Sequence, residues 1–567
     1  MPPRRDSKIH SPLADGQIRL LRLKPANDHS APIECSLFAI SPTKSTQYEA
    51  VSYTWGDPKR DRVIKVNSLD FQISRNLFEL LPYLRRRRSD RVLWIDALCI
   101  NQENHKERPS QVKMMAASTR TQPPRYCIYI TNANQINGQS ISTPYVERNL
   151  TKFFSAEWFF RVWTVQEFVL AERFSFQFET TKIGGSLFLK GFFALRRHIS
   201  NQCCGPLFVE CGERFVAAFT HTNALVHMRG LKGDRSFLRT LHDLRWRRCS
   251  KPRDRVYGML GMDFTFPTSN IQPDDDIPIE QLFIDVALQN IQHTKTLDVF
   301  SFFSPGKKTS LNLPSFIPDW SLKPTNRFTH LLCGDRQMTL LHYNASWGSQ
   351  AKFRFQFDDL QRHATVNGVL INRIRTVGNA CFFSDPGDLA GAISIVKQAR
   401  QLARLPDRLP ASYGAASQRE LQFWRTMCGN LAVNYLKEDR EWKLADPAAD
   451  FDSYLRWYNV VSSKENYCPS LLKNEPFQYP LVPNLSGRRF IRTNSGDMGM
   501  ADAEAQPNDI VMVLAGGRVP YVLREQDAGT TSSKHKRYRL IGDAYLDGIM
   551  QGEGFAGNAK WTEVTLV

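Results

Sequence analysis

The chain has 567 residues, of which 42% are hydrophobic and 11% aromatic; that is enough for two or three domains of roughly 100–200 residues with packed cores, and it excludes a disordered or fibrous protein. The N-terminal stretch MPPRRDSKIHSPLADG lacks the apolar centre of a secretion signal and no run approaches the ~18 apolar residues of a membrane span, so a cytoplasmic protein without membrane contact is expected. Eleven cysteines without framework spacing exclude a disulfide scaffold, and a net charge of +18 spread along the chain with no finger, homeodomain or RNP pattern argues against nucleic acid as a partner.

In chain order, alternation at 17–23 and 33–39 predicts a pair of strands within residues 1–44 that flank the first domain. Tyr48-Glu-Ala-Val-Ser-Tyr53 reads as a strand ending in Trp55-Gly56-Asp57-Pro58, followed by a short strand near 63–66 and a helix from about Asn76 to Leu84. The run Arg85-Arg86-Arg87-Arg88 beyond that helix reads as a solvated C-terminal end, where cations suit the helix dipole, in preference to a localisation or phosphate-binding stretch. Arg91-Val-Leu-Trp-Ile-Asp96 is an apolar strand whose end gathers polar residues, as the carboxyl ends of strands do in α/β sheets. The aromatic segment from Phe153 to Leu170 predicts a largely buried helix that carries Glu167.

Beyond about residue 200 the pattern becomes mixed, with Pro252-Arg-Asp-Arg-Val-Tyr-Gly258 as its sharpest feature and a helix near 282–292. Arg253-Asp254-Arg255 suggests a helix start locked by ion pairs. Ile510–Leu514 and 519–524 predict a hairpin, while 400–418 and 524–536 are polar connections. The plan is therefore flanking strands over 1–44, an α/β domain over 45–200, a mostly helical and mixed region over 201–400 and a mixed, β-rich region over 401–567.

Several side chains invite chemistry. Glu167, set among aromatics, is either a working carboxylate or a structural one paired with Arg161, because a buried acid must be paired or hydrogen-bonded. Asp57 and Asp96 stand at strand ends, where acids bind ribose hydroxyls, although Asp57 before Pro58 is equally a turn signal. Trp55, Trp94 and Trp163 offer faces for a flat ring or fill a core. Cys99 reads as a packed side chain, having only His105 nearby and no protease signature. No metal is expected, since Cys203, Cys204 and Cys211 with His198 lack paired CxxC knuckles, and no P-loop pattern is present.

Three ordered blocks, Tyr48-Glu-Ala-Val-Ser-Tyr-Thr-Trp-Gly-Asp57, Leu93-Trp-Ile-Asp-Ala-Leu-Cys-Ile-Asn-Gln102 and Arg161-Val-Trp-Thr-Val-Gln-Glu167, resemble those of the fungal heterokaryon-incompatibility (HET) domain proteins. The stretch 104–115 extends the second block, and Arg253–Gly258 and Tyr538–Gly542 resemble downstream features of longer members. The resemblance implies an intracellular factor of non-self recognition, innate immunity and programmed cell death. It also implies a distant likeness to TIR (Toll/interleukin-1 receptor) domains, and so a TIR/flavodoxin-like parallel sheet. By that likeness Glu167 is the catalytic carboxylate of an NAD glycohydrolase, with Ser52, Tyr53, Trp55, Asp57, Asp96 and Trp163 lining the substrate site; NAD would be substrate and no cofactor is implied. Self-association and an unidentified protein partner go with this reading. The alternatives are a non-enzymatic self-associating module, or a decayed and inactive copy.

One departure bears on the last alternative. After Met115 the family pattern continues with a helix and an apolar strand, whereas this chain reads Ala117-Ser-Thr-Arg-Thr-Gln-Pro-Pro-Arg-Tyr-Cys-Ile-Tyr-Ile130, and Pro123-Pro124 cannot sit inside a helix. One possible codon series for these residues, read two bases later, gives Ile-Tyr-Thr-Asp-Ala-Thr-Ala-Ala-Leu-Leu-Tyr-Ile-Tyr, which motivates the hypothesis of a local shift of frame or a misplaced intron over 117 to about 145. A genuine segment would cost the domain a helix and a central strand.

Overall fold

The computed structural model describes residues 9–43, 46–104, 106–111, 113–114, 125–129, 153–201, 212–231, 235–303, 309–324, 327–357, 362–383, 389–434, 441–462, 476–526, 536–555 and 560–567. His105, Cys203, Cys204, Cys211 and all of the interrupted stretch except 125–129 lie outside them. The chain divides into two compact units, Met1–Phe237 with Arg247–Ile277, and Leu238–Trp246 with Pro278–Val567. The first unit thus takes in the Arg253–Gly258 motif, which sequence reasoning assigns to the region after residue 200.

In the first unit the chain runs through β1 (Ile18–Leu23), β2 (Glu34–Ile40), β3 (Glu49–Ser52), β4 (Arg60–Val66), β5 (Leu69–Ser74), α1 (Arg75–Leu84), β6 (Arg91–Trp94), β7 (Arg125–Tyr129), α2 (Thr164–Leu170), β8 (Arg173–Phe178), β9 (Thr181–Gly184), α3 (Gly185–Asn201) and α4 (Gly212–Gly230). Local chemistry explains the joints. Asn67 and Ser68, both at positive φ (52° and 66°), turn β4 into β5 in the two-residue geometry that suits twisted strands. Ser74 Oγ accepts from Leu77 N at 3.5 Å to start α1, and Leu77, Leu80, Leu81 and Leu84 give it one buried stripe. Arg85 closes that helix by donating to four loop carbonyls, those of Asp28, His29, Ala31 and Pro32. Its place in the basic run is structural.

The nine strands form one mixed sheet in the order β5-β4-β2-β1-β6-β3-β7-β8-β9. The expected parallel sheet is present in part: β6, β3, β7 and β8 are parallel at the centre and β2 pairs β4 in parallel, while β1 joins β2 and β6 antiparallel and the β4–β5 and β8–β9 hairpins close the edges. The strands expected to flank the domain are members of its sheet. In their own chain order the four parallel strands stand 2-1-3-4, which sets a switch point beside β3, where open α/β sheets gather ligands at strand carboxyl ends. Arg125–Tyr129 takes the position between β3 and β8, so the chain as written does supply that central strand.

The segment 153–170 is not one helix. A 3-10 turn, Glu157–Phe160, gives way to extended backbone at Arg161 (φ −85°, ψ 146°) before α2 begins. The reason is pairing: Arg161 forms a parallel bridge with Arg248, with Val162 N donating to Arg248 O at 3.0 Å. The aromatic run instead builds a core in which Phe176 meets Phe188 at 4.6 Å and Phe168 meets Phe174 at 4.8 Å.

The second unit holds β10 (Arg354–Phe357), β11 (Arg362–Val377), β12 (Leu431–Asn434), β13 (Glu441–Leu444), β14 (Arg488–Thr493), β15 (Met498–Asp502), β16 (Ile510–Leu514), β17 (Tyr521–Gln526), β18 (Arg537–Leu546) and β19 (Thr562–Leu566), with helices α5 (Ile279–Thr294), α6 (Arg327–Met338), α7 (Leu389–Leu402), α8 (Gln418–Cys428), α9 (Pro447–Ser462) and α10 (Gln478–Leu485). Strands β11-β14-β15-β18-β17-β16 close on themselves because β11 pairs with both β14 and β16. Irregularities between Leu370 and Asn372 and between Ile374 and Thr376 let this one long strand bend around the barrel. Ile374, Ile491, Ala501, Val511, Val522, Ala544 and Leu546 fill the interior. Gly499 has no room for a side chain, since a Cβ there would lie 2.4 Å from Tyr545 O. Among the described residues no helix is long and apolar enough to cross a membrane.

Candidate functional site

Two of the three sequence blocks end at neighbouring strand termini. β3 delivers Ser52 and Tyr53, and β6, its parallel neighbour, delivers Asp96 at the first residue of a helical turn, Asp96–Cys99. The second block holds that turn in place: Gln102 Nε2 donates to Asp96 O at 2.9 Å, and Glu107 accepts from Asn101 N at 2.9 Å while pairing with Arg19, which is 1% exposed. Cys99, at 0% exposure, is a packed side chain with its thiol pushed up to about 12 by burial. Asp96 itself accepts from Trp55 Nε1 at 2.9 Å and from Ala97 N at 2.7 Å. The loop carrying Trp55 is anchored by Asn76 Nδ2, which donates to Thr54 O at 3.0 Å; Gly56, at φ 72°, lies so close that a Cβ would meet Asn76 Nδ2 at 2.4 Å. A glycine is required there.

The third block brings Glu167 to the same place. Ser52 Oγ donates to Glu167 Oε2 in a very short hydrogen bond, and Trp158 Nε1 donates to Ser52 Oγ at 2.6 Å. The indole fixes the direction of the hydroxyl, because an oxygen already accepting from Trp158 turns its own proton toward the carboxylate. Arg161 donates to Tyr53 O at 2.6 Å and its charge favours ionisation of both Glu167 and Asp96. Burial nevertheless wins at both acids: Glu167 is pushed up to about 7, with Ser52 and Arg161 opposing and Asp96 adding to the rise, and Asp96 is raised as well. Beside them the Tyr53 hydroxyl is buried without a hydrogen-bond partner, and the phenol is 3% exposed.

Ser52, Tyr53, Trp55, Asp96 and Glu167 therefore converge. Asp57 does not: it is exposed and accepts from Lys59 N at 3.0 Å, a turn contact. Trp163 turns to Asp254, whose carboxyl it hydrogen-bonds, and Trp94 at 8% exposure fills core. Sequence reasoning missed Trp158, whose role depends on a hydroxyl 106 residues away. It also missed the support given by residues 247–261. There, Arg247, 1% exposed, donates to Phe159 O at 2.8 Å, Arg161 O at 3.2 Å and His221 O at 3.0 Å, and Gly261 N donates to Gln166 Oε1 at 3.0 Å. Residues 247–261 thus clamp the third block; within the Arg253–Gly258 motif, Asp254 meets the Trp163 indole and lies in the field of Arg108 and Lys251. Among the described residues no group of three His, Cys, Asp or Glu is placed to hold a metal ion.

The first unit gathers these three blocks around the strand ends of an α/β sheet, and the second unit holds a closed barrel. Residues 48–118 match the family Heterokaryon incompatibility protein (HET), and residues 470–567 match the Het-6 beta-barrel domain. Together the two matches support a fungal HET-domain protein. The chain is similar to Heterokaryon incompatibility protein 6, OR allele, of Neurospora crassa, with 22% identity over 94% of each chain. No solved structure matches it.

Proposed function

We propose that this chain is a heterokaryon incompatibility factor whose first unit serves non-self recognition and programmed cell death by hydrolysing NAD. Two findings support the role: the HET family match and the name of the Neurospora crassa relative. The chemistry rests on one observation, a carboxylate whose ionisation the fold opposes, held by Ser52 at the switch point of the sheet. Acids perturbed by burial beside a specific partner cluster at functional sites. The 2-1-3-4 order of the parallel strands is also what a TIR-like ancestry requires.

In this reading nicotinamide departs with the electron pair of its ribosyl bond, and the oxocarbenium-like state left on the sugar is stabilised by ionised Glu167 until water captures it. Asp96 and the unsatisfied Tyr53 hydroxyl offer acceptor and donor to ribose hydroxyls, and Trp55 offers a face. Ionised Glu167 is the active form, so the rate rises with pH through about 7. The full chain and Glu167→Gln are compared by NAD consumption in cells and in purified form. Wild type is expected to consume NAD, and the variant to be at least about 100-fold slower while still folded.

The second reading, a self-associating module without catalysis, is favoured by the closure of the network: Ser52 and Trp158 are 2% and 0% exposed. Unchanged NAD together with cell death caused equally by both proteins would establish it.

A further inference from the structure

The second unit carries a ligand-sized groove remote in sequence from the residues discussed so far. It measures about 480 Å³, in the range of small-molecule sites, and its lining includes Gln292, Lys295, Lys352, Arg354 and Asn367 over an apolar floor at Ile291.

Its cations are placed by backbone that has little freedom. Lys295 leaves α5 in the left-handed conformation (φ 56°, ψ 22°), its N–H donating to Ile291 O at 2.9 Å, and its carbonyl accepts from Ala351 N at 2.8 Å. Ala351 is pressed in turn by Gly516, at φ 84°, where a Cβ would stand 2.5 Å from Ala351 N. Lys352 and Arg354 are exposed, while the Phe353 ring between them packs 5.9 Å from Phe300 and 5.6 Å from Phe316. Arg354 stands opposite Thr365 in the β10–β11 register, and continuing that register sets Lys352 opposite Asn367.

The charge balance is uneven. Arg354 pairs with Glu563 at 2.9 Å, while neither Lys295 nor Lys352 has a carboxylate partner among the described residues. The carbonyl end of α5 accounts for one lysine by its dipole. A second lysine in the same concavity repels it, and a concave wall focuses such a field. Two amides, Gln292 and Asn367, add neutral donors.

We infer that this groove binds a soluble small molecule bearing a pyrophosphate or longer phosphate chain, of the size of a nucleoside di- or triphosphate. Lys295 and Lys352, the two cations without a carboxylate partner among the described residues, take the phosphates. The chain has no P-loop, so side chains and not a Walker A loop hold the phosphates. The site is independent of Glu167.

Isothermal titration of the full chain at about 0.15 M salt, where long-range charge is screened within about 8 Å, tests this with ADP, ATP, inorganic pyrophosphate, adenosine and a 20-base oligonucleotide. Saturable one-to-one binding of ADP, ATP or pyrophosphate is expected, with no binding of adenosine. Lys295→Glu with Lys352→Glu should weaken it at least tenfold, and the matched charge reversal Arg87→Glu with Arg88→Glu should leave it unchanged. Absence of saturable phosphate binding, equal loss in both pairs of variants, or saturation by the oligonucleotide alone would overturn the inference.

Discussion

Glu167 is the point at which the catalytic and structural readings make opposite demands. A carboxylate kept for stability is held below its ordinary range by its partners; this one is raised from 4.5 to about 7 because burial outweighs Ser52 and Arg161. The native state therefore binds more protons than the unfolded chain between those two values, and its stability falls as pH rises through them. Glutamine at 167 still accepts from Ser52 and carries no charge. Glu167→Gln is thus expected to be more stable than wild type at pH 8, by about 1–3 kcal/mol, with the difference vanishing below pH 4.5. Denaturant unfolding at pH 4.5 and pH 8 measures this; a variant less stable at pH 8 would show the carboxylate to be a structural partner of Arg161. Ser52→Ala acts the other way, stranding the Trp158 indole N–H in a site of 0% exposure at a cost of about 1–3 kcal/mol. The sequence made Ser52, Asp96 and Glu167 legible as candidates because each stands in one of the three ordered blocks. It left Trp158 hidden, since an aromatic inside an aromatic run gives no sign of which ring has its polar edge in use.

At the level of elements, the break at Arg161 decides where Glu167 points. Sequence periodicity reads 153–170 as one helix because nothing in it is a helix breaker; the interruption is imposed from outside by residues 247–248, which pair with its backbone and cap its carbonyls. Such a contact is invisible to any local pattern. Arg247 bears most of that work, with three carbonyls on a guanidinium that burial lowers to about 9. Arg247→Met removes the guanidinium from all three carbonyls, leaving Arg161 O only the Thr164 hydroxyl at 2.8 Å, and we expect a loss of at least about 3 kcal/mol. The same contacts fix how far the first unit extends. A chain ending at residue 200 lacks the clamp and should not unfold cooperatively, whereas one ending at residue 277 should. Circular dichroism against urea checks both, and equal cooperativity in the two would show that the clamp is dispensable.

Across the whole molecule, legibility follows contact distance. The α/β character of the first unit and the β-rich end were readable from alternation and turn chemistry, and the hairpin of β16 and β17 stands where the apolar runs put it. Barrel closure was not readable, because it depends on β11 pairing with strands more than 100 residues later, through bulges that local sequence does not announce. Nor was the charged layer on the outer wall of the barrel. Arg488 on β14 reaches past β15 to Asp543 on β18, at 2.5 Å and with side chains 4% and 7% exposed. Burial pushes Asp543 upward, but Arg488 and Arg336 overcome it and hold the acid below its ordinary range. A pair so enclosed specifies which strand lies where more than it stabilises, since desolvation consumes much of the attraction. Arg488→Met alone should therefore cost about 3–5 kcal/mol by leaving Asp543 with too little positive charge, while Arg488→Met with Asp543→Leu should recover most of it. A double-mutant cycle in urea measures the coupling. Additive losses would mean that the two side chains act separately and that the register of the barrel is set by its apolar interior alone.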